Sequence, residues 1–383
     1  WFSLSFWEKA GVRGRRLLPC RGVSYILAAT FIVFSTKQKN FVMRPEWPPR
    51  IFRSGIWRAQ TVACMAINDM SARAVKKRMF QDVGRLFGIA GWLRSGAMLL
   101  LMALASAAAG AGPLTNATPI FSDMGFQKGF LLSYPDSAKG RSVEKVLDFG
   151  DTNNAPVWRL CQWATKYSLA SASCLRGEEG FVYENEAKRV VVCNEDSQNK
   201  GLNGLTLEIR GSAEYGTRAR KAGEPWPHLL VEQDAVQMCA LDALDAIRFR
   251  VRARLLHCKS GMSASEYDPG LHAAQFQMFF IIKNIRPGSA DQGGYYWFGV
   301  PFFDNRHDVP PAFMARDGGK KDATGKFIYT LGGGTLGEAP LKSGQWVTLD
   351  ADLLPHILKG LREAESRGYF KNSNPHDYAV ANM

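Results

Sequence analysis

From Ile247 to Leu255 the chain alternates without a break: Ile247, Phe249, Val251, Ala253 and Leu255 are apolar, and Arg248, Arg250, Arg252 and Arg254 stand between them. Successive side chains of an extended strand point to opposite faces, so this run can bury one face and present four guanidiniums on the other. A helix would scatter both sets around its surface. The run therefore needs a hydrophobic layer on one side and water or counter-charge on the other, as an antiparallel sheet with one solvated face provides.

The same period recurs along the chain. Leu205, Leu207 and Ile209 alternate with Thr206, Glu208 and Arg210, and short apolar runs bounded by Gly, Pro, Asn and Asp predict further strands at 143–149, 158–167, 181–183, 189–193, 228–233, 273–282, 295–303, 327–330 and 345–349. One helix is predicted over 353–367. Leu354, Ile357, Leu358 and Leu361 share a stripe there, Asp350 or Asp352 can cap it, and Gly368 stops it. About ten short strands and one late helix imply an all-β fold of two packed antiparallel sheets.

Charge and export signals divide the chain before that region begins. The net charge is +13, but residues 1–78 hold 15 Lys and Arg against 3 acids, and the rest is nearly balanced at 33 against 32. The basic excess is thus no argument that the folded region binds nucleic acid. Residues 1–78 lack sustained periodicity and read as an extension outside the domain. Their apolar stretch 23–34 is shorter than the roughly 20 residues a spanning helix needs, so no stable membrane span is expected. From Met79 to Ala111 the pattern is that of a cleavable signal peptide: Arg85 and Arg94, an apolar core from Ala97 to Ala105, then small residues. A secreted or periplasmic chain follows, with residues 112–140 as a lead-in and 141–383 as the sandwich domain; the HDYAVAN segment near Met383 reads as the start of another strand, so the carboxyl end is open to truncation.

Five cysteines follow the signal: Cys161, Cys174, Cys193, Cys239 and Cys258. Bridges 174–193 and 239–258 would each close a short loop, leaving Cys161 over; alternatively all five are reduced, buried small hydrophobes.

Candidate chemistry comes from several strands together. GLTLEIRGSAEY, PWPHLLVEQD, LHAAQFQMFFIIKN and YYWFGVPFFDNRHD combine strand patterning with amides, carboxylates, guanidiniums and aromatics. Sugars present hydroxyls to such polar groups and C–H faces to aromatic rings, so these runs suit a polysaccharide or oligosaccharide. Over roughly 145–377 the chain resembles the secreted concanavalin A-like lectin and glucanase group, which implies a jelly-roll sandwich that binds carbohydrate or cleaves it as a lyase or hydrolase. The glucanase-type ExDxE run is absent, and Glu208 with Arg210 and Gln275 with Gln277 only approximate an alginate-lyase-like pattern.

The candidate catalytic residues are His228, His272, Glu232 and Tyr295, with Glu208, Arg210, Gln233, Gln275, Gln277, Trp297 and Arg306 as substrate-binding candidates. In a lyase, His or Tyr takes the proton α to a uronate carboxyl group while Arg or Gln neutralises that carboxylate; Tyr296 is a further candidate there. In a hydrolase, Glu208 and Glu232 would flank the scissile bond. Non-catalytic binding and a structural envelope role are the competing readings. No cofactor is implied, although the loop Asp304–Asn305–Arg306–His307–Asp308 offers oxygen ligands for a structural calcium. The Arg248–Arg254 row is read first as a solvated face met by acids across the strand, and second as a groove for an acidic polymer.

Overall fold

A computed structural model describes residues 23–36, 117–150, 155–193, 204–216, 218–318, 324–342 and 344–383. The signal segment 79–111 lies outside the described residues, as does most of the basic extension. In chain order the strands are β1 (Val23–Thr36), β2 (Thr118–Pro119), β3 (Phe130–Ser133), β4 (Val143–Leu147), β5 (Trp158–Cys161), β6 (Leu175–Gly177), β7 (Gly180–Glu184), β8 (Lys188–Cys193) and β9 (Gly204–Ile209). There follow β10 (Leu230–Glu232), β11 (Leu244–Cys258), β12 (Gln275–Asn284), β13 (Tyr295–Asp304), β14 (Phe313–Arg316), β15 (Phe327–Thr330), β16 (Trp346–Asp352) and β17 (Tyr378–Asn382). The helices are α1 (Gly211–Tyr215) and α2 (Leu354–Ser366).

The fold is all-β, with three hydrogen-bonded sheets among the described residues. One runs β16-β11-β1-β9-β8-β7-β6 with β2 beside β1, the second β10-β5-β3-β4, and the third β14-β15-β13-β12-β17. Pairing is not purely antiparallel as expected: β1 runs parallel to β11 and β9, β3 to β5, and β13 to β15. The parallel junctions arise because neighbours in space are not neighbours in sequence, so the chain crosses over instead of turning back.

The alternation of β11 decides the packing. Ile247, Phe249, Val251, Ala253 and Leu255 are all buried, and the Phe249 ring meets Phe280 of β12 edge-on at 5.5 Å. That contact lays the first sheet against the third. Phe276, Met278, Phe280 and Ile282 of β12, with Tyr296, Phe298, Val300 and Phe302 of β13, complete the same core. The lead-in also contributes to it, through Phe121, Phe126, Phe130 and Leu132.

Helix α2 closes one end of this core. Asp352 Oδ1 accepts from the backbone N–H of Leu354 at 3.1 Å and from that of Ile247 at 2.8 Å, so one carboxylate satisfies the first helical N–H and ties the helix to β11. Leu354, Ile357, Leu361 and Ala364 are buried, and Gly368, at φ 76°, ends the helix as anticipated. Tyr296 Oη donates to the Ile357 carbonyl at 2.6 Å.

Several local expectations change. The 158–167 strand ends at Cys161, because Ala164 takes a left-handed φ of 59° and Gln162 turns its amide onto Ser133 and Ser168. Strands β3, β6 and β14 and helix α1 are too short to show periodicity. Cys161, Cys174, Cys193 and Cys258 carry thiols, so neither short-loop bridge forms, and Cys239 is disulfide-bonded, so the five are not all reduced.

A Cβ on Gly360 would lie 2.9 Å from Tyr296 Oη and 2.9 Å from Tyr329 Cδ1. Both rings are buried, and neither can yield cheaply. Gly360→Ala should therefore lower stability by about 1–3 kcal/mol in chemical denaturation, despite alanine's better helix propensity; an unchanged or raised midpoint would show that α2 is not seated this closely.

Candidate functional site

The described residues enclose a cavity of about 360 Å³ lined from β9, α1, the 218–232 segment, the 258–274 segment and the start of β12. Its volume lies in the range of small-molecule sites. On β12 the pleat turns Gln275, Gln277 and Phe279 away from the core that holds Phe276, Met278 and Phe280; all three reach the cavity lining with Trp297 of β13, and Phe276 and Met278 border it as well. Trp297 meets Phe279 edge-on at 5.8 Å. The result is an aromatic wall with two amides on the same side.

Two segments form the opposite wall and are stapled together. Arg220 donates to the carbonyls of Glu224 and Leu271, at 2.8 Å and 2.7 Å, and its guanidinium lies 6.0 Å from the Trp226 ring centre. His272 completes the staple: Nδ1 accepts from the Asp268 N–H at 2.9 Å, which leaves Nε2 to donate to the Arg220 carbonyl at 2.8 Å. With both ring nitrogens engaged, His272 serves here as a pin between the segments. Arg218 is matched by Glu224 in a two-pronged ion pair.

Helix α1 supplies Ser212 and Tyr215 to the cavity, and its other face is anchored from behind. Glu214 accepts from the Lys166 N–H at 2.8 Å and from Thr165 Oγ1, while Lys188 Nζ donates to Thr165 Oγ1 at 2.6 Å. Burial lowers the Lys188 ammonium to about 8 against the pull of Glu214.

Glu232 is the most unusual polar group in the lining. It is 3% exposed, sits opposite Arg159 in the β10–β5 ladder, and places Oε1 3.1 Å from Arg159 Nε and 3.7 Å from Arg141 Nε without hydrogen-bond geometry to Arg159. Its Oε2 has no hydrogen-bond partner. Burial pushes the carboxyl up to about 7, which outweighs the two arginines. Near neutral pH it can therefore hold or release a proton.

Comparison with protein-family models, curated proteins and solved structures finds no match. The site accordingly rests on its own geometry.

Of the residues singled out in the sequence, His228, Glu232, His272, Gln275, Gln277 and Trp297 line this cavity. The others do not. Arg210 is held by Glu208 at 2.7 Å and by Glu184, on the face of β9 away from the core side chains Leu205 and Leu207. The Gln233 amide bonds both backbone groups of Ser122, at 2.7 and 2.9 Å, and so locks the lead-in. Arg306 grips Asp304 with Nε and Nη2, at 2.8 and 2.6 Å, and Gln275 Nε2 adds a third bond to the same carboxylate at 2.6 Å. Burial opposes the Asp304 charge, yet these donors outweigh it and hold its pKa below the usual value. Asn305 Oδ1 accepts from the Ala274 N–H, so the side-chain oxygens of Asp304 and Asn305 considered for calcium are already engaged; among the described residues no group of three His, Cys, Asp or Glu is placed to hold a metal ion. Tyr295 is buried, with Lys326 Nζ 4.9 Å from its ring centre, and Tyr296 points into the core.

The pair considered for hydrolysis is not brought together, since Glu232 lines the cavity and Glu208 does not. Arg220 was not foreseen, and Trp226 and Tyr215 lay within the PWPHLLVEQD and GLTLEIRGSAEY runs without being singled out. Their one visible signal is the aromatic between two prolines at Pro225–Trp226–Pro227, a rigid turn that holds a large ring at a surface.

The sign of the Glu232 shift fixes a pH dependence. Because the folded pKa of about 7 lies above the ordinary 4.5, the folded state binds the extra proton between these values. Its contribution is complete below about pH 4.5 and disappears as pH rises through about 7. Between pH 5 and 7.5 the wild type should lose on the order of 2 kcal/mol that Glu232→Gln does not lose, read by denaturant titration at each pH; parallel pH profiles would place the titration elsewhere.

Proposed function

We propose that this chain is a secreted carbohydrate-binding protein whose ligand occupies the cavity beside β12. The observation that carries the reading is the pairing of Gln275 and Gln277 with Phe279 and Trp297 on one wall. Gln277 has no hydrogen bond within the described residues and is half-buried, so its donors and acceptor face the cavity ready for hydroxyl groups. Gln275 spends its donor on Asp304 and keeps Oε1 buried without a partner, an acceptor suited to one sugar hydroxyl. The neighbouring rings suit the apolar face of a pyranose. A jelly-roll arrangement of the strands and export through the 79–111 segment belong to the same proposal.

Binding is preferred to cleavage because the other carboxylate in the lining, Glu266, is held by Ser263 through its backbone N–H and Oγ, at 3.0 and 2.7 Å, and His272 is engaged at both nitrogens. A lyase reading keeps one favourable observation, the Glu232 carboxyl poised near neutrality.

Calorimetric titration of the full chain with a panel of neutral and acidic oligosaccharides tests the reading. At least one class should bind, and Gln277→Ala should weaken it by about tenfold, the cost of roughly one hydrogen bond to a sugar. Silence across the panel sinks the proposal. Release of reducing ends or unsaturated product under the same conditions would turn binding into catalysis.

A further inference from the structure

The four arginines of β11 are not treated alike. Arg250 pairs with Asp350 of β16, donating from Nε at 2.8 Å. Arg248 faces Asp352 in the ladder, but Asp352 Oδ1 is occupied by the backbone N–H groups of Ile247 and Leu354. Among the described residues neither Arg248 nor Arg254 has a carboxylate oxygen within the 4.0 Å of an ion pair. Arg252 and Arg254 both approach one ring, with guanidinium carbons 4.7 and 4.6 Å from the centre of Trp346. Two cations drawn to one indole gain from its quadrupole and still repel each other.

The same sheet supplies its own control. Across β7, β8 and β9, Arg189 and Arg210 are threaded between Glu179, Glu184 and Glu208 in a continuous chain of ion pairs. There the acids outnumber the arginines. On β11, Arg248 and Arg254 have no carboxylate partner among the described residues, so positive charge is left uncompensated along the strand. Alternate residues of a strand are about 6.7 Å apart, which spaces these guanidiniums along a line instead of gathering them around a point.

We infer that the outer face of β11 and β16 is a second binding site, separate from the cavity, for an extended polysaccharide carrying sulfate or carboxylate groups. Arg248 and Arg254 supply charge-assisted hydrogen bonds to the anionic groups, and Trp346 holds the Arg254 guanidinium in place. A sugar polymer fits better than nucleic acid. The charged strip follows one strand and has Asp350 of β16 at its edge, whereas nucleic-acid interfaces are broad and strongly positive. None of these residues lines the cavity.

Because residues 1–78 carry much positive charge themselves, the test compares variants of the full chain and reads individual arginines. Dextran sulfate and polygalacturonate should each be tried against neutral dextran and duplex DNA, with phenylglyoxal labelling followed by mass spectrometry. A bound polyanion should protect Arg248 and Arg254 from labelling while dextran protects neither. Arg248→Gln with Arg254→Gln should weaken polyanion binding by about tenfold, and Arg250→Gln by less than about twofold. Asp350→Asn, which releases Arg250, should strengthen binding, a gain that misfolding cannot imitate. Unprotected Arg248 and Arg254 with both polyanions, equal losses in the paired and unpaired variants, or DNA held as tightly as the sulfated polymer would each overturn the inference. Gln277→Ala should leave this binding unchanged, so failure here and failure of the cavity reading are told apart.

Discussion

The contact of Phe249 with Phe280 is the constraint on which the rest of the architecture depends. It brings the alternating strand β11 face to face with β12, and every other placement follows from which side of each strand is thereby turned inward. On β11 it sends the arginines outward; on β12 it sends Gln275, Gln277 and Phe279 to the lining of the cavity. A slip of one residue in either strand would exchange the two sets. Helix α2 reinforces the arrangement because Asp352 bonds at once to the helix start and to the backbone of β11.

The cavity shows how little regular structure a site requires. One wall is a pleated sheet surface, whose spacing is inherited from the core behind it. The other consists of two irregular segments that hold each other through Arg220, Leu271 and His272. Such segments would ordinarily be adaptable, but a guanidinium and an imidazole bonded to carbonyl oxygens fix their separation. Glu232 sits between the two kinds of wall. Its charge is set by the balance between burial and two arginines.

Much of the fold was legible in the sequence because period-two burial is strong in long strands. The predicted runs around Ile247, Gln275 and Tyr295 all appear as strands, and the helix ending near Gly368 appears within a residue of each predicted end. Short strands such as β6 and β14 carry too few residues to establish a period. The parallel junctions were illegible for another reason, since order in a sheet depends on crossovers that leave no local pattern. Within the site, residues on the same strand face were grouped correctly, as with Gln275 and Gln277. Those that reach the cavity from loops were not, because Arg220 owes its position to a hydrogen bond with Leu271, far away in sequence, and Trp226 packs beside that guanidinium. Glu208, Arg210 and Arg306 were chosen for chemical type, but nearby opposite charges claim them first.

The uneven outer face of the first sheet has a consequence before any contact is made. One part is internally neutralised and another is not, so the domain carries an in-plane electrical asymmetry although its overall charge is small. In the field of a distant anionic surface such a body experiences a torque as well as an attraction. It would approach already rotated, with β11 and β16 leading, and its productive collisions would become rarer as added electrolyte shortens the distance over which that orientation is felt.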